Sequence, residues 1–298
     1  ALSLHQSVSD HAFHTHESAA YAFSVKGITV SLEGGIKGYW RSMRSSCDLT
    51  ELPGLTELPD KYEFTNLIHT NSLTVYAVPK LEYWVRRVNF TLNLPVSYAH
   101  YSFDKAIANR DEVYFSPSLK LSWKPNNRFS GTIRGSLGRS PMSLNLIHPG
   151  LIMTNYRTLQ SGVDNFYNYS SQNVSASFQY KHTRYGLFAN GMLMQSWNHI
   201  AYTLAQQLFG DYVVYSYSDA KNDGKSFMAM GNIGKTLDFM RGSCNVNSSF
   251  NRNESHMLSQ QNAVNTVSSS WSVGARINGS PWRWFSFDYN LRYAGSRL

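Results

Sequence analysis

The 298-residue chain is rich in aromatic residues (14%), poor in charged ones (15%), and carries a formal net charge of +8. Soluble globular chains contain roughly 25% charged residues, so hydration here depends on Ser, Asn, Thr, Gln and Tyr. No run of about 18 apolar residues occurs, which excludes a transmembrane helix. The 27 Lys and Arg are scattered singly, and no basic cluster alternates with aromatic residues that could stack on bases. Nucleic-acid binding is therefore not predicted.

Apolar and polar side chains alternate along most of the chain, which is the period of a β-strand. The stretch VNFTLNLPVSYAHYSF is the clearest case, since Val88, Phe90 and Leu92 alternate with Asn89 and Thr91. Helical spacing does not explain the pattern. The alternation predicts twelve strands at residues 12–25, 28–46, 70–85, 88–103, 112–124, 128–138, 171–183, 187–207, 212–235, 240–254, 263–277 and 283–296.

Short and long connections also alternate along the chain. The short ones lie at residues 26–27, 86–87, 126–127, 184–185, 236–239 and 279–281. The other connections are 47–69, 104–111, 139–170, 208–211 (itself short) and 255–262. Short turns on one rim and long loops on the other are typical of an outer-membrane barrel. Soluble strands average five or six residues, whereas a strand tilted by about 45° needs roughly 9 to 11 to cross a bilayer.

The aromatic residues next to the short turns support the same interpretation, because such rings mark a membrane interface. They are Tyr83, Trp84, Trp123, Tyr185, Phe239, Trp282 and Trp284. The fold class predicted for residues 1–298 is therefore all-β, an antiparallel transmembrane β-barrel in the outer membrane. Its apolar positions face membrane lipid and its polar positions face a wet interior.

A soluble β-sandwich is the alternative fold, since its strands also alternate, with the apolar side facing a dry core. Three prolines, Pro79, Pro95 and Pro117, count against a continuous hydrogen-bond ladder because each lacks an N–H. We expect them at bulges or near a rim.

Several stretches resemble the barrel of TonB-dependent receptors from Bacteroidetes-type bacteria. The strand LTVYAVPKLEYW, the return strand VNFTLNLPVSYAHYSF and the hairpin VYFSPSLKLSWKPNNRFSGTIRGSLGRSP follow one another as in that family. The later order, GRSPMSLNL, NYRTLQSG and NVSASFQYKH, is also similar. The resemblance covers most of the chain and rests on pattern and short motifs.

This resemblance implies a 22-stranded barrel that holds a plug domain. It implies TonB-energised uptake of a scarce nutrient across the outer membrane: a small-molecule ligand such as a siderophore, a glycan or a cobalamin-like compound. The implied partners are the TonB complex, through a plug domain not in this chain, and a surface SusD-like lipoprotein. Because plug, TonB box and closing aromatic strand are missing, we expect a barrel segment of about twelve strands. The alternative is a self-contained barrel acting as adhesin, scaffold or passive porin.

Ligand contacts are expected in the long loop 139–170, because surface loops on a rigid barrel carry specificity. Its aromatic and basic candidates are Tyr156, Arg157, Phe166, Tyr167 and Tyr169. Rings can stack on a ligand while their polar tips bond to it, but they can equally serve to fold the loop over its neighbours. Inward-facing basic residues could attract anions or pair with the acids of a plug: Lys120, Lys124, Arg134, Lys181, Arg276 and Arg292.

No enzyme, metal or cofactor is predicted. His14 and His16 share a strand face near His11, but no third ligand is fixed, so ordinary rim or loop histidines are favoured. The acids in GDYVVYSYSDAKNDGK fail the EF-hand spacing and suit a solvated bend. The chain has no serine-nucleophile elbow, and its two cysteines, Cys47 and Cys244, match no metal or redox spacing.

Overall fold

The computed structural model describes residues 5–48, 63–104, 107–259 and 262–298. Its strands are β1 (His5–Val25), β2 (Ile28–Asp48), β3 (Thr65–Val85), β4 (Val88–Asn93), β5 (Val96–Phe103), β6 (Arg110–Phe115), β7 (Ser118–Trp123), β8 (Phe129–Pro141), β9 (Ile152–Asn155), β10 (Thr158–Gln160), β11 (Asn168–His182), β12 (Leu187–Ile200), β13 (Thr203–Phe209), β14 (Tyr212–Ser218), β15 (Asn222–Leu237), β16 (Gly242–Ser259), β17 (Asn262–Trp282) and β18 (Phe285–Arg297). Short 3-10 turns lie at Leu144–Leu146, Thr183–Tyr185 and Asp238–Met240. No helix among these residues is long and apolar enough to span a membrane.

Fourteen of these strands form one antiparallel wall. The order is β1, β2, β3, then β4 with β5, then β6 with β7, then β8, β11, β12, β15, β16, β17 and β18. Since β4 and β5 continue one another, as do β6 and β7, the fourteen strands occupy twelve strand positions across the wall, which we call staves. Twelve is the number that the alternation predicts. Within the described residues, β1 and β18 each pair on one side, so the sheet is not closed.

The pairing register puts the apolar positions of neighbouring strands side by side. In one row across the sheet, Ile133 lies opposite Leu121 and Ala176, and Leu193 lies between Ala176 and Ala229. Ile133 is 54% exposed and Leu193 is 53% exposed. We call this side the apolar face and the opposite side the polar face. Within the described part of the chain, no second sheet covers the apolar face, so the β-sandwich alternative is wrong.

The three prolines line up across adjacent strands and interrupt the ladder. Pro79 lies within β3, while Pro95 lies between β4 and β5 and Pro117 between β6 and β7. Proline carbonyls still accept hydrogen bonds, from Leu94 N to Pro79 O (2.9 Å) and from Ser116 N to Pro95 O (3.1 Å). The wall therefore continues through a local irregularity, because proline removes only the donor.

The sequence assigned the eighth and ninth strands incorrectly. The wall strand β12 ends at Ile200 and β15 begins at Asn222, instead of running over 187–207 and 212–235. Between them, β13 and β14 form a separate hairpin whose tip includes Gly210, with φ of 53°. Residues 203–218 alternate well enough for a strand, but they pack against another loop. Periodicity alone does not distinguish wall from loop hairpin.

Candidate functional site

Two long loops lie at the end of the wall opposite the short turns and fold onto each other. The first long loop is residues 142–167, between β8 and β11, and the second long loop is residues 201–221, between β12 and β15. Strand β10 of the first pairs in parallel with β14 of the second, with Leu159 beside Val214. Both side chains are fully buried. The loops therefore share one small core and form a single structural unit.

The first long loop packs on the polar face of the wall. The Phe166 ring, which is 1% exposed, lies 4.6 Å from the Tyr101 ring and 5.6 Å from the Phe103 ring, measured between centroids. Ala99 and Tyr114, also on the polar face, are buried in the same cluster. Burial of these side chains holds the loop against the inside of the wall, since aromatic side chains supply most of such a contact.

A buried arginine fastens the loop on the β1–β2 side. The Arg41 guanidinium is 2.7 Å from Asp10 Oδ2 and donates a second bond to the Leu144 carbonyl at 3.0 Å. The Arg41 side chain is 3% exposed, while that of Asp10 is 40% exposed. Arg41 thus joins β1, β2 and the loop. A charge-assisted contact in this protected geometry contributes more than a surface ion pair.

Two amides fasten the loop backbone through reciprocal bonds. Asn66 Oδ1 accepts from Gly150 N at 2.7 Å, and Asn66 Nδ2 donates to Gly150 O at 3.2 Å and to Ser45 Oγ at 2.7 Å. Gln6 forms the same kind of pair with Met153, at 2.7 and 3.0 Å. Each side-chain amide bonds to the backbone N–H and C=O of one loop residue, as a neighbouring strand would in a sheet. Without the amide these buried backbone groups would lack partners.

His148 stabilises the loop from within. It is 8% exposed, and its Nδ1 accepts a hydrogen bond from Gly162 N at 3.0 Å. The same nitrogen lies 3.4 Å from the Gly150 carbonyl oxygen. Burial lowers the pKa of His148, and the nearby Arg41 charge acts in the same direction, although the Gly150 carbonyl and Asp10 partly oppose it. The docked loop therefore favours neutral His148.

Next to the docked loop, the polar face holds a cavity of about 410 Å³, which we call the mouth cavity. Tyr76 donates to Glu33 Oε1 at 3.0 Å and lies 2.6 Å from His16 Nε2. The Lys37 ammonium sits 4.8 Å from the centre of the Tyr76 ring. Arg139 adds a second cation to the lining. The cavity offers donors, acceptors and aromatic surface together, which suits a polar ligand with hydroxyl or charged groups.

The structure separates the five aromatic and basic loop candidates into exposed and buried groups. Tyr156 is 77% exposed at the tip between β9 and β10, with the Arg157 guanidinium 5.4 Å from its ring centre. Tyr169, in β11, is 37% exposed. Phe166 belongs to the loop core, and Tyr167 packs on Tyr202 with a hydroxyl that has no partner among the described residues. Tyr156 and Arg157 thus remain accessible, whereas Phe166 folds the loop.

The inward basic candidates do not form one site. Lys120 and Arg134 lie directly opposite each other in β7 and β8, and neither makes an ion pair within the described residues. Arg276 pairs with Asp288. Lys124 and Lys181 lie at the short-turn end of the wall, whereas Arg292 lies further along β18, opposite Gly274.

The histidine and acid candidates are also dispersed. His14 and His16 lie on the polar face, opposite Tyr39 and Lys37, whereas His11 lies on the other side of β1. The acids at 211, 219 and 223 fall at a hairpin tip, after β14 and in β15. No group of three or more His, Cys, Asp or Glu that could hold a metal occurs in the described ranges.

Sequence reasoning missed the residues that fasten the loop, namely Gln6, Arg41, Asn66 and His148. Each of the first three is an unremarkable polar position of an alternating strand. Their partners lie 84 to 147 residues away for Gln6 and Asn66, and 103 residues away for the Arg41 bond to the loop. No local motif signals such contacts.

No known family model matches the chain, and no curated protein matches it by sequence. In fold it is similar to the copper transporter OprC, with a TM-score of 0.61 and 7% identity over 98% of this chain and 49% of that one. The alcaligin outer-membrane receptor FauA of Bordetella pertussis gives 0.41, with 10% identity over 98% and 54% of the two chains. The siderophore receptor PirA of Pseudomonas aeruginosa gives 0.37, with 10% identity over 96% and 71%.

Of these three structures, OprC is similar enough to support an argument, and at 7% identity the argument concerns the fold. The chain spans about half the length of OprC. It has the fold of an outer-membrane β-barrel wall, so the predicted fold class is confirmed.

Proposed function

We propose that this chain is a barrel segment of an outer-membrane receptor of the TonB-dependent kind, which takes up a scarce nutrient. One observation carries the proposal: a twelve-stave wall is apolar on one face, and its other face holds a polar cavity beside a long loop that is docked on it. The apolar face suits hydrocarbon, where a barrel satisfies every backbone N–H and C=O. The loops and the cavity suit selective capture rather than free diffusion.

The strand edges support the interpretation as a segment. The described residues leave β1 and β18 with one free edge each, and the fold matches about half of a larger chain. A 22-stranded barrel would add roughly ten strands between these edges and enclose a plug. In this proposal residues 1–298 form one barrel segment of a Bacteroidetes-type receptor. The plug elsewhere in the protein contacts the TonB complex, and a SusD-like lipoprotein covers the loops.

The ligand in this proposal is a siderophore, a glycan or a cobalamin-like compound that enters from the loop side. Tyr156 and Arg157 at the exposed hairpin tip make the first contact, and Tyr169 lines the way to the wall. Glu33 and Lys37 in the mouth cavity then bind the polar groups of the ligand. This order follows from exposure, which falls from 77% at Tyr156 to 37% at Tyr169 and to half-burial at Glu33.

A passive porin is the less favoured function, because the first long loop is fastened to the wall by buried contacts. Arg41, Asn66 and Gln6 bind its backbone or neighbours at three separate points. In a closed barrel, a loop held in this way would occupy part of the lumen. An adhesin or scaffold would not need the polar cavity.

The test uses the full parent protein, purified from membranes and reconstituted in planar bilayers with KCl as the only permeant salt. A plugged receptor fractionates with the outer membrane and carries no steady current. A steady current in the wild-type protein would support a passive porin and contradict the proposal. Recovery of the protein in the aqueous fraction without detergent would contradict any membrane barrel.

A further inference from the structure

The charged residues of the short turns are nearly all basic. The turn segments 26–27, 86–87, 124–128, 181–186, 235–241 and 282–284 contain a single acidic residue, Asp238. Their basic residues, which we call the basic rim, are Lys26, Arg86, Arg87, Lys124, Arg128, Lys181, Arg184, Lys235, Arg241 and Arg283. All of these are exposed. Within the described part of the chain, none takes part in an ion pair.

Three of these cations occupy backbone positions that do not favour a side chain. Lys26, Arg86 and Arg241 have φ of 47°, 50° and 47°, and they are the non-glycine residues with positive φ among those described. The left-handed region suits glycine or asparagine far better than a residue with a long side chain. After the 3-10 turn Thr183–Tyr185 the equivalent position is Gly186, with φ of 58°, whereas after Asp238–Met240 it is Arg241. A cation retained at such positions points to a use for its charge.

Aromatic side chains border the rim and fix its depth. Trp123, Phe239, Trp282 and Trp284 are between 49% and 81% exposed beside the short turns. Such rings lie at the level where hydrocarbon meets headgroups. The basic rim, at the turns themselves, would lie just beyond them, where flexible Lys and Arg side chains reach the phosphate layer.

We propose that the basic rim binds the phosphate groups of anionic phospholipids in the leaflet on the short-turn side of the membrane. The proposal deepens the proposed function and rests on its membrane insertion. Phospholipid is favoured over an acidic polypeptide because the cations are distributed over six turns from β1 to β18. A polypeptide would recognise a compact patch, whereas a leaflet presents phosphates along the whole rim. Each Lys or Arg near an anionic membrane surface raises the affinity for that surface roughly fivefold.

The test uses the parent protein inserted into phosphatidylcholine vesicles containing a minor fraction of phosphatidylglycerol with brominated acyl chains. Bromine quenches tryptophan fluorescence on contact, and Trp84, Trp123, Trp282 and Trp284 lie beside the short turns. The rim variant is R86Q/K124Q/R128Q, which leaves Arg87 bonded to the Pro125 carbonyl. The matched control, R44Q/K221Q/K225Q, removes three exposed cations near the long-loop end.

We expect quenching of the wild-type protein several-fold above the value set by the bulk fraction of phosphatidylglycerol. The control variant should keep this excess. The rim variant should lose most of it, and so should the wild-type protein at about 1 M salt, where the screening length is about 3 Å. Equal quenching of the rim variant and the control variant would overturn the inference. So would wild-type quenching at the value set by the bulk fraction of phosphatidylglycerol, together with binding of soluble polyglutamate to the rim. Failure to insert into neutral vesicles would overturn the proposed function itself.

Discussion

Leu193 offers the sharpest test of which face of the wall meets lipid. It is the seventh residue of β12, six residues above Leu187 at the short-turn end. A rise of about 3.4 Å per residue on a strand tilted by about 45° places Leu193 roughly 14 Å above that end. The apolar band of such a barrel is about 25 Å tall, so Leu193 lies near the midplane. Leu193→Lys should therefore cost about 2 to 4 kcal/mol of unfolding free energy.

Two other lysine substitutions distinguish the effect of depth in the membrane from the effect of the face on which the residue lies. Leu187→Lys lies on the same face at the interface, where the cost should fall to about 0 to 1 kcal/mol. Met194→Lys, next in the chain but on the polar face, should change stability by less than about 1 kcal/mol. Urea unfolding of the parent protein in phosphatidylcholine vesicles measures all three. If Leu193→Lys proves no more destabilising than Met194→Lys, the apolar face does not contact lipid.

Three further predictions concern the loop and one turn. Arg41→Met should weaken docking of residues 142–167 by about 2 to 3 kcal/mol, because Asp10 and a loop carbonyl lose their donor; limited proteolysis should then cut the loop faster. The depressed pKa of His148 means that docking is strongest above about pH 6.5 and weakens as pH falls, because the undocked loop binds a proton more readily. A hydrogen-exchange protection factor at Gly162, taken relative to an unprotected amide at the same pH, that does not change with pH would contradict this. Arg241→Gly should stabilise the protein by about 1 kcal/mol in urea unfolding, since glycine accepts positive φ without strain.

The alternating pattern determined the wall because a strand side chain has only two directions. Ten of the twelve wall strands were predicted at the right place, although β1 begins at His5, seven residues before the predicted start, and β3, β16 and β17 each extend five residues beyond a predicted end. The apolar positions of residues 88–98 lie on the face assigned to them. The exceptions, at 187–207 and 212–235, arose because residues 203–218 also alternate. Their apolar side chains face the core between the loops, where Val214 meets Leu159.

The loop site was accessible to sequence reasoning only in part. Loop 139–170 was expected to carry ligand contacts, and that expectation stays a proposal. Its aromatic content did not indicate which rings fold the loop and which remain exposed. Phe166 and Tyr156 are similar residues ten positions apart, yet one is 1% exposed and the other 77% exposed. The difference depends on Tyr101 and Phe103, which lie in another strand.

Sequence by itself determined the strand period, the membrane-sized strand length, the short-turn rim and its charge, because each depends on neighbours within a few residues. The tertiary structure alone decided how the first long loop docks. Arg41, Asn66 and Gln6 meet partners from distant parts of the chain, and burial in the docked loop lowers the pKa of His148. Contacts of this kind join residues that are far apart in the chain and that only the register of the wall brings together, so no local pattern records them.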